Sequence, residues 1–178
     1  TSENPRNGAV HEAAAAGIPV ALADLGALVR IPSIAWPAFD QDALVRSAEA
    51  IAALAEGIGI FDSVEIARSA VPGTDEVGQP AILATRAARE GAPTVLLYAH
   101  HDVQPPGDDA LWETPPFEPT VRDGRLYGRG AADDKAGVMA HIAALRAIHE
   151  VYGDDLTLGI ALFIEGEEEY GSRSFAQF

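Results

Sequence analysis

Two apolar runs end abruptly in clusters of ionisable residues, and a third such cluster opens a helix-like stretch. Thr94-Val95-Leu96-Leu97-Tyr98 leads into His100-His101-Asp102, and residues 156–164 run straight into Glu165-Gly166-Glu167-Glu168-Glu169. Asp133-Asp134-Lys135 follows Gly128-Arg129-Gly130 and precedes a segment in which Val138, Ile142, Leu145 and Ile148 recur on one side of a helix over 135–150. A continuous apolar run bounded by turn residues is expected of a strand buried on both faces. Strands separated by helices predict an α/β sheet with parallel members, and such sheets bind ligands at the carboxyl ends of their strands. The charged clusters fall at those ends.

The rest of the chain supports the same class. Residues 1–19 read as a flexible lead-in punctuated by Pro5, Gly8, Gly17 and Pro19, and 20–30 as a short helix stopped by Pro32. From Asp40, a plausible N-cap, Leu44, Ala48, Ile51 and Ala55 mark a helix that Gly57 and Gly59 close. Residues 64–67 and 81–85 read as strands around a turn-rich segment at Pro72-Gly73-Thr74-Asp75. Asp123-Gly124 between 120–122 and 125–127 is a hairpin signal. The Pro- and Asp-rich stretch 99–119 is long for a loop in a compact domain, which points to a functional one.

Composition narrows the chemistry. With 27 acidic against 12 basic residues the chain carries a formal charge of -15, which argues against nucleic acid and anionic membrane surfaces as partners. No cysteine is present among the 178 residues, so disulfide scaffolds, thiolate nucleophiles and Cys-based zinc sites are excluded. Any metal must be held by His, Asp and Glu. No segment is expected to span a bilayer: the uncharged stretch 13–23 is short and broken by Pro19, and Glu3, Arg6 and Glu12 before it lack the positive bias of a secretory signal. A cytoplasmic location is the default expectation.

Each cluster alone has a plain explanation: a packed histidine, an aspartate capping a helix, a solvated acidic loop. Together they bring one imidazole and several carboxylates to one place, and crowded negative charge drives protonation unless a cation offsets it. Zinc accepts both ligand types, and a carboxylate can bridge two metals. Alternation along a strand puts His100 and Asp102 on one face and His101 on the other, so His101 reads as structural.

These motifs resemble those of the M20 metallopeptidases, the group of aminoacylases, carboxypeptidases and dipeptidases. Residues 96–105, ending His100-His101-Asp102-Val103-Gln104-Pro105, look like the family's His-x-Asp strand end. Trp112, Pro116-Phe117-Glu118-Pro119 and the run from Asp123 to Lys135 resemble its second signature, and Glu165 to Ser172 its third. The resemblance implies a three-layer zinc-peptidase-like catalytic domain with a mixed, largely parallel sheet flanked by helices, of which 20–178 would be the N-terminal portion. It implies two zinc ions, with His100 on one, Asp133 bridging both ahead of a cis peptide bond, and Glu169 on the other. Asp102 would orient His100, and Glu168 would be the general base that takes a proton from a metal-bridging water and passes it to the leaving amine. Within the acidic triplet, Gly171-Ser172 favours the register that uses Glu168 and Glu169 over one that uses Glu167. Ala99 and Ala136 stand where glycine is common in the family.

The family carries two further ligands and a domain for dimerisation and substrate binding beyond the stretch matched here. The implied substrate is a dipeptide or short peptide, which Val103-Gln104-Pro105 and the 112–119 stretch favour, and the implied assembly of the full-length protein is a homodimer through that absent domain. The alternatives are an N-acyl amino acid amidohydrolase, or a truncated, non-catalytic metal-binding or assembly fragment. A sheet truncated at Phe178 is expected to expose apolar surface and unpaired strand edges.

Overall fold

A computed structural model describes residues 5–178. Helix α1 (Arg6–Val29) is followed by α2 (Asp42–Glu56), strands β1 (Ser63–Ala67), β2 (Ala81–Arg86) and β3 (Thr94–His100), the hairpin β4 (Thr120–Arg122) and β5 (Arg125–Tyr127), helix α3 (Lys135–Tyr152) and strand β6 (Gly159–Glu165).

The start of the chain differs from expectation. A single helix of 24 residues replaces the flexible lead-in and the short helix, and Pro19 lies inside it. The alanines at 13–16 favour helix strongly enough to carry the chain through Gly17 and Pro19, each of which weakens it locally. Packing along α3 supplies the rest. Residues 1–4 of the expected lead-in lie outside the described residues. By length and composition α1 is apolar enough to cross a membrane, contrary to the expectation that no segment would be. Its last turn is core: Leu25, Leu28 and Val29 are buried, while Ile18, Val20 and Leu22 are exposed.

Helix α2 buries the expected stripe of Leu44, Ala48, Ile51 and Ala55. Asp40 works just ahead of it, accepting the Asp42 amide at 3.0 Å and pairing with Arg46. In the hairpin, Asp123 and Gly124 both take positive φ, 48° and 73°, the backbone that a tight two-residue turn between twisted strands requires.

The four-stranded sheet has the order β1-β2-β6-β3 and is mixed. Its parallel share is smaller than the expected largely parallel sheet: β3 pairs β6 in parallel, while β1–β2 and β2–β6 are antiparallel. The turn-rich link between β1 and β2 holds no helix and folds back on itself through an antiparallel Ala70–Val77 bridge, so it returns the chain antiparallel. Ile82, Ala84, Ala99, Ile160, Leu162 and Ile164 join residues of all three helices in one core.

Strand β3 is not buried on both faces as its apolar run suggested. It lies at the sheet's edge, and Leu96 is 67% exposed, with Val95 and Tyr98 also open. On that outer face Tyr98, Phe163, Phe175 and Phe178 stack as an aromatic group. The exposed apolar edge expected of this stretch of chain is present.

Candidate active site

The parallel pair β3–β6 sets the site. In its register His100 lies opposite Glu165, so the two strands end side by side and deliver their polar clusters to one rim. The third cluster arrives at the start of α3. The structure brings together His100, Asp102, Asp133 and Glu168; Glu169 joins them through its backbone amide on Asp102, while its carboxylate is turned to Gln104.

His100 is nearly buried. Its Nδ1 lies 3.1 Å from the Asp102 carbonyl and 3.5 Å from Asp102 Oδ1, while Nε2 faces Asp133 Oδ1 at 3.1 Å and Glu168 Oε2 at 3.7 Å. Burial works against protonation of this ring. The hydrogen bonds and charge of Asp102, with the charge of Asp134, outweigh it and raise the pKa to about 9. A metal arriving at Nε2 must therefore displace a proton.

Asp102 is fully buried and does more than orient a ring. Its Oδ1 accepts the Glu168 amide at 3.1 Å and its Oδ2 the Glu169 amide at 3.0 Å. One carboxylate thus ties the end of β3 to the turn that presents both glutamates. The turn, Glu168–Tyr170, is braced on its far side by Trp36 packing edge-on against Tyr170.

The acidic triplet divides by environment. Glu167 is 3% exposed and accepts from the Ser174 amide at 2.5 Å, the Ser174 hydroxyl at 2.6 Å and the Gln79 amide at 3.2 Å. Three donors make it a structural acid. The Glu168 side chain, 43% exposed, stands free beside His100. The Glu169 carboxylate accepts from Gln104 Nε2 at 2.7 Å. This arrangement favours the register that assigns chemistry to Glu168 and Glu169.

His101 behaves as the strand alternation predicted. It is fully buried, its Nε2–H donates to the Pro80 carbonyl at 2.9 Å, and burial pushes its pKa down to about 4. Ser33 lies beneath it, donating to the His101 carbonyl at 2.6 Å and accepting the Val103 amide through its own carbonyl.

Asp133 caps no helix. The residue at the N-cap of α3 is Asp134, which makes no side-chain cap bond and instead accepts the His100 amide on Oδ2 at 3.2 Å. The Asp133–Asp134 peptide is cis, as the resemblance implied. The Asp133 side chain is 74% exposed, held toward His100 by its backbone rather than by packing.

Among the described residues, no three His, Asp or Glu side chains close into a metal site. The donors fit zinc in kind, and the best pair fits in spacing: ligands ~2.0–2.1 Å from a tetrahedral zinc lie about 3.3 Å apart, against 3.1 Å between His100 Nε2 and Asp133 Oδ1. Nδ1 is engaged by Asp102, which leaves Nε2 as the ligating nitrogen. Glu169 is turned to Gln104 and joins neither.

Residues 96–178 match the model of peptidase family M20/M25/M40. All three motif clusters lie in this stretch, and over it the chain is similar to that family. It is 51% identical over 80 residues to a cysteinylglycine-S-conjugate dipeptidase of Corynebacterium striatum, an overlap of 45% of this chain and 17% of that protein. It is 40% identical over 151 residues to a succinyl-diaminopimelate desuccinylase of Rhodospirillum centenum, covering 85% and 35% of the two. The crystal structure of human carnosine dipeptidase 1 superposes with a TM-score of 0.81 at 29% identity, over 98% of this chain and 37% of that one. The chain thus spans little more than a third of these M20 relatives at most.

Three residues at the site lie within the motifs but were given no role of their own there. Gln104 meets Glu169 only through the fold. Asp134 stood beside Asp133, which read as the possible cap. Lys135 was marked by one oddity, a cation at the first position of a helix, where the macrodipole disfavours it.

Proposed function

We propose that this chain supplies His100, Asp133 and Glu169 as zinc ligands, and Glu168 as general base, for hydrolysis of an amide bond in a dipeptide or short peptide. The observation that carries the reading is the convergence of His100 Nε2, Asp133 Oδ1 and Glu168 Oε2 at the end of the parallel strand pair. Bound zinc would polarise the scissile carbonyl and lower the pKa of water.

The chain's own groups do the rest. Asp102 holds the His100 ring and the amides of the Glu168–Glu169 turn, so ligand and base keep one geometry. Glu168, with a free and partly exposed carboxylate, takes a proton from the attacking water. As the carbon–nitrogen bond breaks, it returns that proton to the departing amine, which leaves an amine, a carboxylic acid and an unchanged base; the acid then passes its own proton to the amine or to solvent. The relatedness to the dipeptidases supports the peptide substrate. The relatedness to the desuccinylase supports a second reading, in which an N-acyl amino acid enters the same site.

The test is hydrolysis by the full-length protein of a dipeptide panel and an N-succinyl amino acid panel, with zinc content measured on the same sample. Zinc-dependent release of amino acids from dipeptides is the expected result. Zinc-loaded protein inert toward both panels overturns the proposal, and activity on the succinyl panel alone selects the second reading.

A further inference from the structure

The geometry points to Lys135 as the positioning residue of the Asp133 carboxylate, acting by pinning the ligand-bearing turn to the end of helix α1. The inference rests on the reading of Asp133 as a zinc ligand and adds a residue that the reaction itself does not use.

Lys135 is the first residue of α3 and fully buried. Its Nζ donates to the carbonyls of Leu28 at 2.8 Å and Ile31 at 2.7 Å, across more than one hundred residues of chain. Those carbonyls belong to the last turn of α1 and the residues just past it, where a helix carries partial negative charge; the Leu28 carbonyl also accepts the Ile31 amide. The ammonium has left the positive end of its own helix for the negative end of another. Burial pushes its pKa down to about 7. The charge of Asp102 opposes that push.

A buried ammonium of this kind is costly unless it is hydrogen-bonded, so its retention in a core otherwise built of Leu, Ile and Val asks for a role. The role follows from what surrounds Asp133. That side chain has no packing to hold it, being 74% exposed, and its one close polar partner is His100. Its direction is therefore set by the backbone of 133–135. Beside main-chain bonds from the Lys135 amide to Gly130 and from the Val138 amide to Asp134, two side-chain anchors tie that backbone to other elements: Asp134 on the His100 amide and Lys135 on α1. The segment that receives Lys135 also supports the other ligand strand, because Ser33 accepts the Val103 amide and donates to the His101 carbonyl. The 28–33 segment is thus the common base of both ligand-bearing turns, and Lys135 is the link from the α3 side. Release of that link lets Asp133 move relative to His100 while leaving both ligands in the chain.

The experiment uses the full-length protein and its Lys135→Met variant, which keeps the length and removes the donors. Zinc affinity is measured by chelator competition, and melting temperature with and without zinc. The expected result is an affinity about 10- to 100-fold weaker, the range for groups that orient metal ligands, and a smaller zinc-induced rise in melting temperature. Zinc affinity within twofold of wild type, with both melting temperatures lowered equally, would make Lys135 a packing residue and overturn the inference. Should the Met variant not fold, the same titration and melts are run on Lys135→Leu, which also removes the donors, with the same two outcomes deciding. Failure of the underlying reading is separable: wild-type protein would then bind no zinc in the same titration.

Discussion

Acidification isolates the buried histidine of the His-His-Asp motif. His101 is fully buried, donates from Nε2 to Pro80, and presents an Nδ1 with no partner. A second proton would have to enter at Nδ1, placing an uncompensated charge in the core, and burial accordingly lowers the pKa from 6.5 to about 4. Above pH 6.5 the ring is neutral in both folded and unfolded chains and contributes no pH dependence. Between 6.5 and 4 the unfolded chain binds a proton that the folded chain refuses, so stability falls as pH falls. Below about 4 both states are protonated and the loss stops growing. At ~1.36 kcal/mol per pH unit, the interval corresponds to about 3 kcal/mol. His101→Gln keeps an N–H donor for the Pro80 carbonyl and cannot titrate. Urea unfolding of the metal-free protein, followed by circular dichroism at pH 7, 6, 5 and 4, gives the stability gap between the two. Relative to its value at pH 7, that gap should shift by about 3 kcal/mol in favour of the variant by pH 4. Glu165, whose pKa burial raises, responds to acid in the opposite sense, but it is common to both proteins and cancels in the difference. A gap constant to ~0.5 kcal/mol across the range would refute the reasoning.

Three further outcomes test the site. Glu168→Gln should lower kcat by about 10²- to 10⁴-fold with zinc content and melting temperature unchanged, because its half-exposed carboxylate approaches His100 only at 3.7 Å, beyond hydrogen-bond distance. Glu167→Ala should do the reverse, costing ~3 kcal/mol in urea unfolding by stranding the Ser174 and Gln79 donors, and equal loss of stability from both variants would contradict the division of labour. Gly166→Ala should destabilise by ~3 kcal/mol, since a Cβ there would overlap the Pro80 carbonyl and stand 2.8 Å from His101 Nε2. A thermal melt matching wild type would show that the Pro80 segment yields.

Local pattern and tertiary placement were legible to different degrees. The helix of 135–152, the Asp123-Gly124 hairpin and the alternation that sent His101 inward are set by near neighbours, and periodicity reports near neighbours faithfully. Strand β3 misled because its apolar run describes what the segment can bury, while its exposure depends on which strands flank it, and only β6 does. Helix α1 misled in the other direction: Pro19 is a local breaker that alanine propensity and packing against α3 override. The site shows the same split. His100, Asp102, Asp133 and Glu168 were nameable because each ends or begins an element, where chemistry-bearing residues interrupt an apolar pattern. Gln104 on Glu169, Asp134 on the His100 amide and Lys135 on α1 are contacts between motifs, and no motif contains the residues of another. Buried charge is the signal that links the two levels. An acid or ammonium with no route to solvent must be met by partners from elsewhere in the chain, so Asp102, Glu167 and Lys135, each nearly or wholly inaccessible, mark where separate elements are bound into one site. In the proposed reading, the exposed groups Asp133 and Glu168 are then the ones that reach the substrate side of His100.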